Sequence, residues 1–237
     1  MSRLHVLSRP AGMRGALVVM AKAPRKGFVK TRLAGACPPC DEVRLSECML
    51  QDTLALAQSL SRVHVAVMCP SEDVFDIRVR ILPGLHVVGQ DGKGLAAALA
   101  SVFRRFVPDF QRVIAFDSDS PHLPRATLES AFALLDTHDL VIGPTEDGGY
   151  YLVGASAIHP GLFDAAPLGT SSACDALRAR ARALGLSVGV TDAWYDVDVP
   201  ADLSRLAADL RLAPGRASRT AAFLASCMSR PRDEKQA

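Results

Sequence analysis

The stretch ALVVMAKAPRKGFVKTRL, residues 16–33, decides how the chain is read. Its first third, Ala16 to Ala21, is a short apolar run rich in valine and leucine, of the kind that forms a strand covered on both faces. The remainder is a loop punctuated by Pro24 and Gly27 that carries Lys22, Arg25, Lys26, Lys30 and Arg32. It is neither a Walker A loop, which needs glycine directly before Lys-Thr, nor the G-x-G-x-x-G of dinucleotide binders. Lysines as point charges and arginines as planar forks, on a glycine-punctuated loop leaving a buried strand, nevertheless suit a di- or triphosphate. Nucleotide phosphates are therefore expected at Lys22, Ala23, Pro24, Arg25, Gly27, Lys30 and Arg32, with Lys22 and Lys30 as catalytic cations.

The charge count supports a local anion site. The chain has 237 residues, 27 Lys/Arg against 25 Asp/Glu, and 49% hydrophobic residues, which excludes a disordered or fibrous protein. Residues 1–40 hold eight Lys/Arg and no acid, leaving 19 against 25, a net of −6, for residues 41–237. A nucleic-acid binder would spread its excess over a face, so no nucleic-acid partner is expected. Only five lysines occur, and three of them, Lys22, Lys26 and Lys30, fall within nine residues. No apolar run approaches the roughly 18 residues of a membrane span. The expectation is a cytoplasmic protein with no membrane partner, able to form a homodimer. Residues 1–14 read as a flexible N-terminus, 15–229 as one domain and 230–237 as a disordered tail. Cys37 and Cys40 form C-P-P-C without a second pair or a spaced histidine pair, a weak zinc signal. The six cysteines are read as reduced and structural.

Further apolar runs at Val63–Met68, Leu85–Val88, Val113–Phe116 and Leu140–Ile142 are bounded by Gly, Pro or Asp and read as buried strands. Helical spacing joins Leu45, Met49, Thr53, Leu56 and Leu60, and likewise Leu95, Leu99, Val102 and Phe106. Helices are expected at 41–60, 71–80, 94–106 and 125–136 between these strands. Alternation of this kind implies an α/β fold with a mostly parallel sheet covered on both faces. It then lapses, into a strand at 147–154, a helix at 171–184, a strand at 187–190 and helices at 200–211 and 217–228.

Ligands of such sheets bind beyond the carboxyl ends of the strands, where the unusual residues lie. Phe116-Asp117-Ser118-Asp119-Ser120-Pro121 leaves a buried strand with carboxylates at i and i+2, both able to reach one hard cation such as Mg²⁺ or Mn²⁺ on a phosphate. The structural alternative is that one of the two caps the next helix or orders the turn through Asx hydrogen bonds. Asp196 and Asp198, in Tyr195-Asp196-Val197-Asp198-Val199-Pro200, lie before the next helix, and a third carboxylate from there would ligate a second side of the cation. Asp202 is explained by the helix dipole. Glu146-Asp147-Gly148-Gly149-Tyr150, with Tyr195, reads as the side that holds a small-molecule acceptor. Glu146 and Asp147 are candidates for hydroxyl binding and Asp147 for a catalytic base. Gln90 and Lys93, in a glycine-rich turn, and Ser118 are further nucleotide candidates. Among the histidines only His122 lies in a functional loop, and no G-x-S-x-G elbow is present.

Taken in order, K-A-P-x-x-G-x-V-K-T-R-L, S-D-S-P-x-L-P, E-D-G-G-Y-Y-L-V-G and D-V-D-x-P-A-D-L resemble the bacterial glycosyltransferase-like family of the GT-A, or nucleotide-diphospho-sugar transferase, superfamily. Phospholactate and molybdenum cofactor guanylyltransferases are among its relatives. The resemblance spans residues 15–211 and implies a single-domain, Rossmann-like GT-A fold with a mixed sheet. It also implies a divalent metal at Asp119 and nucleotide phosphates at the Lys22–Arg32 loop. Asp198 matches a further metal ligand of the nucleotidyltransferase relatives, while Asp117 stands where the family often has glycine. The C-P-P-C loop is outside the family pattern. Glycosyl transfer from a nucleotide-sugar to a small acceptor is the leading expectation. Nucleotidyl transfer from an NTP to a phosphorylated small molecule is the alternative, and a non-catalytic nucleotide-binding module the third.

Overall fold

The computed structural model describes residues 12–33, 41–164 and 171–228. The expected flexible start up to residue 11, the Cys37/Cys40 pair and the tail at 230–237 lie outside the described residues. Seven strands form one sheet: β1 Gly15–Met20, β2 Val63–Cys69, β3 His86–Gly89, β4 Arg112–Asp117, β5 Leu140–Pro144, β6 Tyr150–Ala155 and β7 Val188–Val190. Among the described residues seven α-helices accompany them: α1 Glu42–Gln58, α2 Val74–Arg78, α3 Gly94–Phe106, α4 Arg125–Leu134, α5 Ala173–Ala183, α6 Pro200–Leu212 and α7 Ser218–Met228.

The sheet order is β3-β2-β1-β4-β6-β5-β7. β1 lies at its centre, paired in parallel with β2 and β4, which is why Ala16 to Val19 are fully buried. Its side chains alternate between two cores. Leu17 and Val19 face Leu50 and Leu54 of α1, Ile77 of α2 and Leu128 of α4. Ala16 and Val18 face Leu99 and Phe106 of α3 and Leu177 of α5. A third cluster joins Leu45 and Met49 of α1 to Leu203, Leu206 and Leu210 of α6 and Leu224 of α7.

β6 is antiparallel to both neighbours, β4 and β5. A connection of five residues after β5 is too short for a parallel crossover, so the chain reverses there. The returning strand fills the gap that α4 leaves between β4 and β5. It begins at Tyr150 rather than at 147, because 145–149 form the turn. The second expected helix is also shorter: Ser71–Asp73 is a 3-10 turn, and only Val74–Arg78 is α-helical. Among the described residues no helix is long and apolar enough to cross a membrane. Cys48, Cys69 and Cys174 are free thiols, but Cys227 is disulfide-bonded, which corrects the expectation of reduced cysteines throughout.

α7 is moored by a buried acid. Asp52 of α1, 4% exposed, accepts from the backbone N–H of Arg219 at 3.2 Å, and from the backbone N–H and hydroxyl of Thr220, both at 2.8 Å. These N–H groups stand in the first turn of α7, where no intrahelical partner exists. Asp52→Ala leaves them buried and unpaired, and the expected cost is about 2–3 kcal/mol in urea denaturation, with Asp52→Asn costing less.

Candidate active site

At the carboxyl ends of the strands opens a cleft of about 830 Å³. The loop after β1 lines it with Lys22, Lys30 and Arg32, the turn after β3 with Gln90, and the loop after β4 with Asp117, Ser118 and Asp119. Asp147, Gly149 and Tyr150 line the opposite side, and Asp196 and Asp198 close it. The last two arrive because the chain beyond β7 runs across the sheet's edge. Trp194 exchanges backbone hydrogen bonds with Pro144 and Glu146, and the Val197 N–H donates to the Asp119 carbonyl at 3.1 Å.

Lys30 is the focus of this arrangement. Its loop turns tightly, with the N–H groups of Phe28 and Val29 both donating to the Arg25 carbonyl and Gly27 at φ +78°. Lys30 itself takes φ +48°, a left-handed conformation unusual for a non-glycine residue and often found at functional sites. Its side chain is only 6% exposed, with Nζ 2.6 Å from Asp119 Oδ1 and 3.1 Å from Asp198 Oδ1. Nζ also donates to the Val197 carbonyl at 2.7 Å. Burial opposes the charge, but the two carboxylates outweigh it and hold the ammonium above the ordinary lysine range.

The other two carboxylates are differently occupied. Asp117 accepts the Asp119 N–H at 3.1 Å, the Asx-type bond that a D-x-D turn allows. Asp196 accepts the Ser120 hydroxyl at 2.8 Å. Burial, then the nearby Asp196 and Asp119 charges, push the Asp117 acid well up. Burial, partly offset by the Ser120 hydrogen bond and reinforced by neighbouring carboxylates, raises Asp196 to about 6. Among the described residues no three His, Cys, Asp or Glu groups form a ready-made metal cluster. What the structure brings together is a pair, Asp119 and Asp198, around a single cation.

Several expected site residues are employed elsewhere. Arg25 pairs with Asp73 at 2.6 Å and Asp76 at 2.8 Å, and the Ala23 N–H donates to Asp73, so this end of the loop is fastened to the start of α2. Arg25, Ala23, Pro24 and Gly27 do not line the cleft, nor does Lys93, which caps α3 while exposed. Glu146 forms a bidentate pair with Arg205. Asp147 accepts from the Thr145 hydroxyl and the Gly149 N–H, ordering its own turn. Gly148, at φ +92°, packs so tightly that a Cβ would lie 1.9 Å from the Ser171 carbonyl oxygen. Tyr195 is buried, its hydroxyl donating to Asp209 and its ring covered by Arg205, so it does not reach the cleft. Of the clustered aromatics, Tyr150 keeps the expected position, while the Tyr151 hydroxyl turns to Thr191 and Asp192.

A basic loop after the central strand, carboxylates after its neighbour, and one antiparallel strand inserted into a parallel sheet define a nucleotide-diphospho-sugar transferase fold. The crystal structure of a Desulfovibrio desulfuricans G20 chain assigned to those transferases matches with a TM-score of 0.83 at 26% identity, over 90% of this chain and 95% of that one. Residues 51–170 match the family described as "Uncharacterized protein conserved in bacteria" (DUF2064), and the chain belongs to it. It is 30% identical over 182 residues to 2-phospho-L-lactate guanylyltransferase of Methanothermobacter thermautotrophicus, covering 75% of this chain and 78% of the relative. It is 32% identical over 188 residues to 3-phospho-D-glycerate guanylyltransferase of Phenylobacterium zucineum, covering 75% and 84%. The chain is a member of a transferase superfamily.

A contact with no local sequence signature locks the carboxylate loop to the strand that crosses the edge. His122, 1% exposed, accepts the Trp194 indole N–H on Nε2 at 2.9 Å, and its ring centroid is 4.3 Å from that of Tyr195. An indole only donates, so His122 is neutral with its proton on Nδ1. Burial lowers its pKa to about 4, against an ordinary value near 6.5. The unfolded chain therefore binds the extra proton between these values. Stability is full above pH 6.5 and falls as the pH drops toward 4, by on the order of 3 kcal/mol. Asp196, raised to about 6, acts in the opposite direction over the same range, so the His122 contribution is read as a difference: in urea titrations from pH 7.5 to 4, His122→Gln, which keeps an acceptor for Trp194, is expected to gain stability relative to wild type as the pH falls.

Proposed function

We propose that the protein is a nucleotidyltransferase that joins the nucleoside monophosphate of an NTP to the phosphate of a small phosphorylated acid and releases pyrophosphate. The observation that carries this reading is the likeness, at 30% and 32% identity over three quarters of the chain, to two guanylyltransferases whose named substrates are phosphorylated hydroxy acids. GTP is accordingly the first nucleotide to test. Glycosyl transfer, the leading expectation from sequence, gives way to this alternative.

The chemistry suits the cleft. A phosphate oxygen of the acceptor attacks the α-phosphorus, a new P–O bond forms, and the bond to the bridging oxygen of the β-phosphate breaks. A phosphate nucleophile is already ionised near neutral pH, so the step needs no general base. Asp147 then serves by ordering the Gly148–Gly149 turn beside Tyr150. Lys30 neutralises charge at the reacting phosphate, while Lys22 and Arg32 receive the departing pyrophosphate. Gln90, across the cleft, faces the nucleoside.

The residues fit a hard divalent cation: their donors are all oxygen, and the Lys30 ammonium between Asp119 and Asp198 is a cation in the position in question. Asp119 and Asp198 would hold Mg²⁺ or Mn²⁺, and Asp117 lines the same cleft. Bound there, the ion would supply charge neutralisation at the phosphates.

Purified protein is to be incubated with Mg²⁺ or Mn²⁺, each NTP, and phosphorylated hydroxy acids such as 2-phospholactate and 3-phosphoglycerate. Pyrophosphate release that requires both substrates, with the product seen by mass spectrometry as a nucleoside joined to the hydroxy acid through a diphosphate bridge, is the expected result. Release of a nucleoside diphosphate from nucleotide-sugars would overturn it in favour of glycosyl transfer, and tight binding without turnover in favour of a binding module. Asp119→Ala is expected to abolish metal-dependent GTP binding in calorimetry, and unchanged affinity would remove Asp119 from the metal site.

A further inference from the structure

The carboxylate pair at the head of the cleft already holds a cation belonging to the chain. All three protons of the Lys30 ammonium have acceptors, one oxygen each from Asp119, Asp198 and the Val197 carbonyl. The side chain is 6% exposed, so water cannot easily take over any of these contacts. The first two oxygens are the ones that a divalent ion would use. An ammonium and a divalent ion cannot both sit within bonding distance of the same two oxygens, because two like charges would then face each other a few ångströms apart in a partly desolvated cleft.

We propose that Lys30 is a built-in counter-ion: in the free protein its ammonium blocks the divalent-cation position, and it leaves only when nucleotide phosphates arrive to receive it. The exchange conserves the charge balance. Lys30 trades two carboxylate oxygens for phosphate oxygens, the divalent ion takes the carboxylates, and the triphosphate supplies negative charge for both. Four rotatable carbons let the ammonium make this move while the loop keeps its place, since Arg25 is fastened to Asp73 and Asp76 at one end and the Leu33 N–H donates to the Lys30 carbonyl at the other. Metal and nucleotide then bind as a coupled pair, with little metal bound in the absence of nucleotide. This rests on the metal-dependent nucleotidyl-transfer reading above, and adds to it an order of events and a second role for a phosphate-facing lysine.

The test is Mn²⁺ binding, followed by electron paramagnetic resonance on the full chain, for wild type, Lys30→Met and Lys30→Gln. Each is measured alone and with a GTP analogue whose α–β bridge is methylene. Wild type is expected to bind Mn²⁺ weakly alone, and Lys30→Met to bind it alone at least about tenfold more tightly, within the usual range of coupling between sites. Asp119→Asn in the Lys30→Met background is expected to cancel the gain. Lys30→Gln, which can still donate to Val197, provides the same comparison if the methionine variant is unstable. Nucleotide-dependent Mn²⁺ binding by wild type with no gain in the folded variants would overturn the counter-ion role and leave the transferase reading intact. No Mn²⁺ binding by any protein, even with nucleotide, would overturn both.

Discussion

A charge buried in a protein is tolerated only where opposite charges and hydrogen-bond acceptors meet it, and that requirement organises this molecule around Lys30. Its ammonium draws together three segments that the sheet alone would leave independent: the loop after β1, the loop after β4 and the strand-like run that crosses the edge at 194–198. Each segment is also secured from behind. Arg25 is tied to Asp73 and Asp76, His122 to Trp194, and Asp196 to Ser120. The cleft is thus a set of anchored loops with one shared electrostatic centre.

The antiparallel β6 is what gives the cleft two walls. With parallel strands alone, every loop at this edge would leave a strand and enter a helix. Because β6 returns between β4 and β5, its starting residue, Tyr150, stands at the same edge as the ends of its neighbours. The turn that precedes it is confined by Gly148 against Ser171 and by the hydrogen bond from Cys174 to the Gly148 carbonyl. A wall of basic and acidic loops therefore faces a wall built on the hairpin and on the start of α5.

The strands at the centre of the sheet were legible because burial on both faces leaves an uninterrupted apolar run, as in Ala16 to Ala21. The loops that carry Lys22, Lys30, Asp119 and Asp198 were legible because charge clustered after such runs has few structural explanations. Other features had no local signature. Nothing near Arg25 reveals that Asp73 and Asp76, about fifty residues on, will claim it, so a cation counted toward phosphate serves as an anchor. Tyr195 looked like a pocket residue beside Asp196, yet strand alternation turns neighbours to opposite sides, and its ring faces the α6 cluster. The meeting of Lys30 with Asp119 and Asp198 depends on the edge-crossing path after β7, which no periodicity encodes. The insertion of β6 followed from the family resemblance and not from the residues.

The Lys30–Asp198 contact also carries a consequence for how the protein is made. Its partners are separated by 168 residues, and the Lys30 bond to Val197 by 167. Contacts of such long range form late, since loop closure must be met before they give anything back. A ribosome adds roughly 5–20 residues per second, so the basic loop exists for about 8–35 seconds before its last carboxylate is synthesised. Through that interval the central strand and the α1, α3 and α4 layers can already pack, while the cleft has its cation and only part of its counter-charge. The site therefore closes only after the strands of the sheet have been made, with α6 and α7 still to follow, and a chain arrested before residue 198 has its sheet without the charge balance that holds the cleft together.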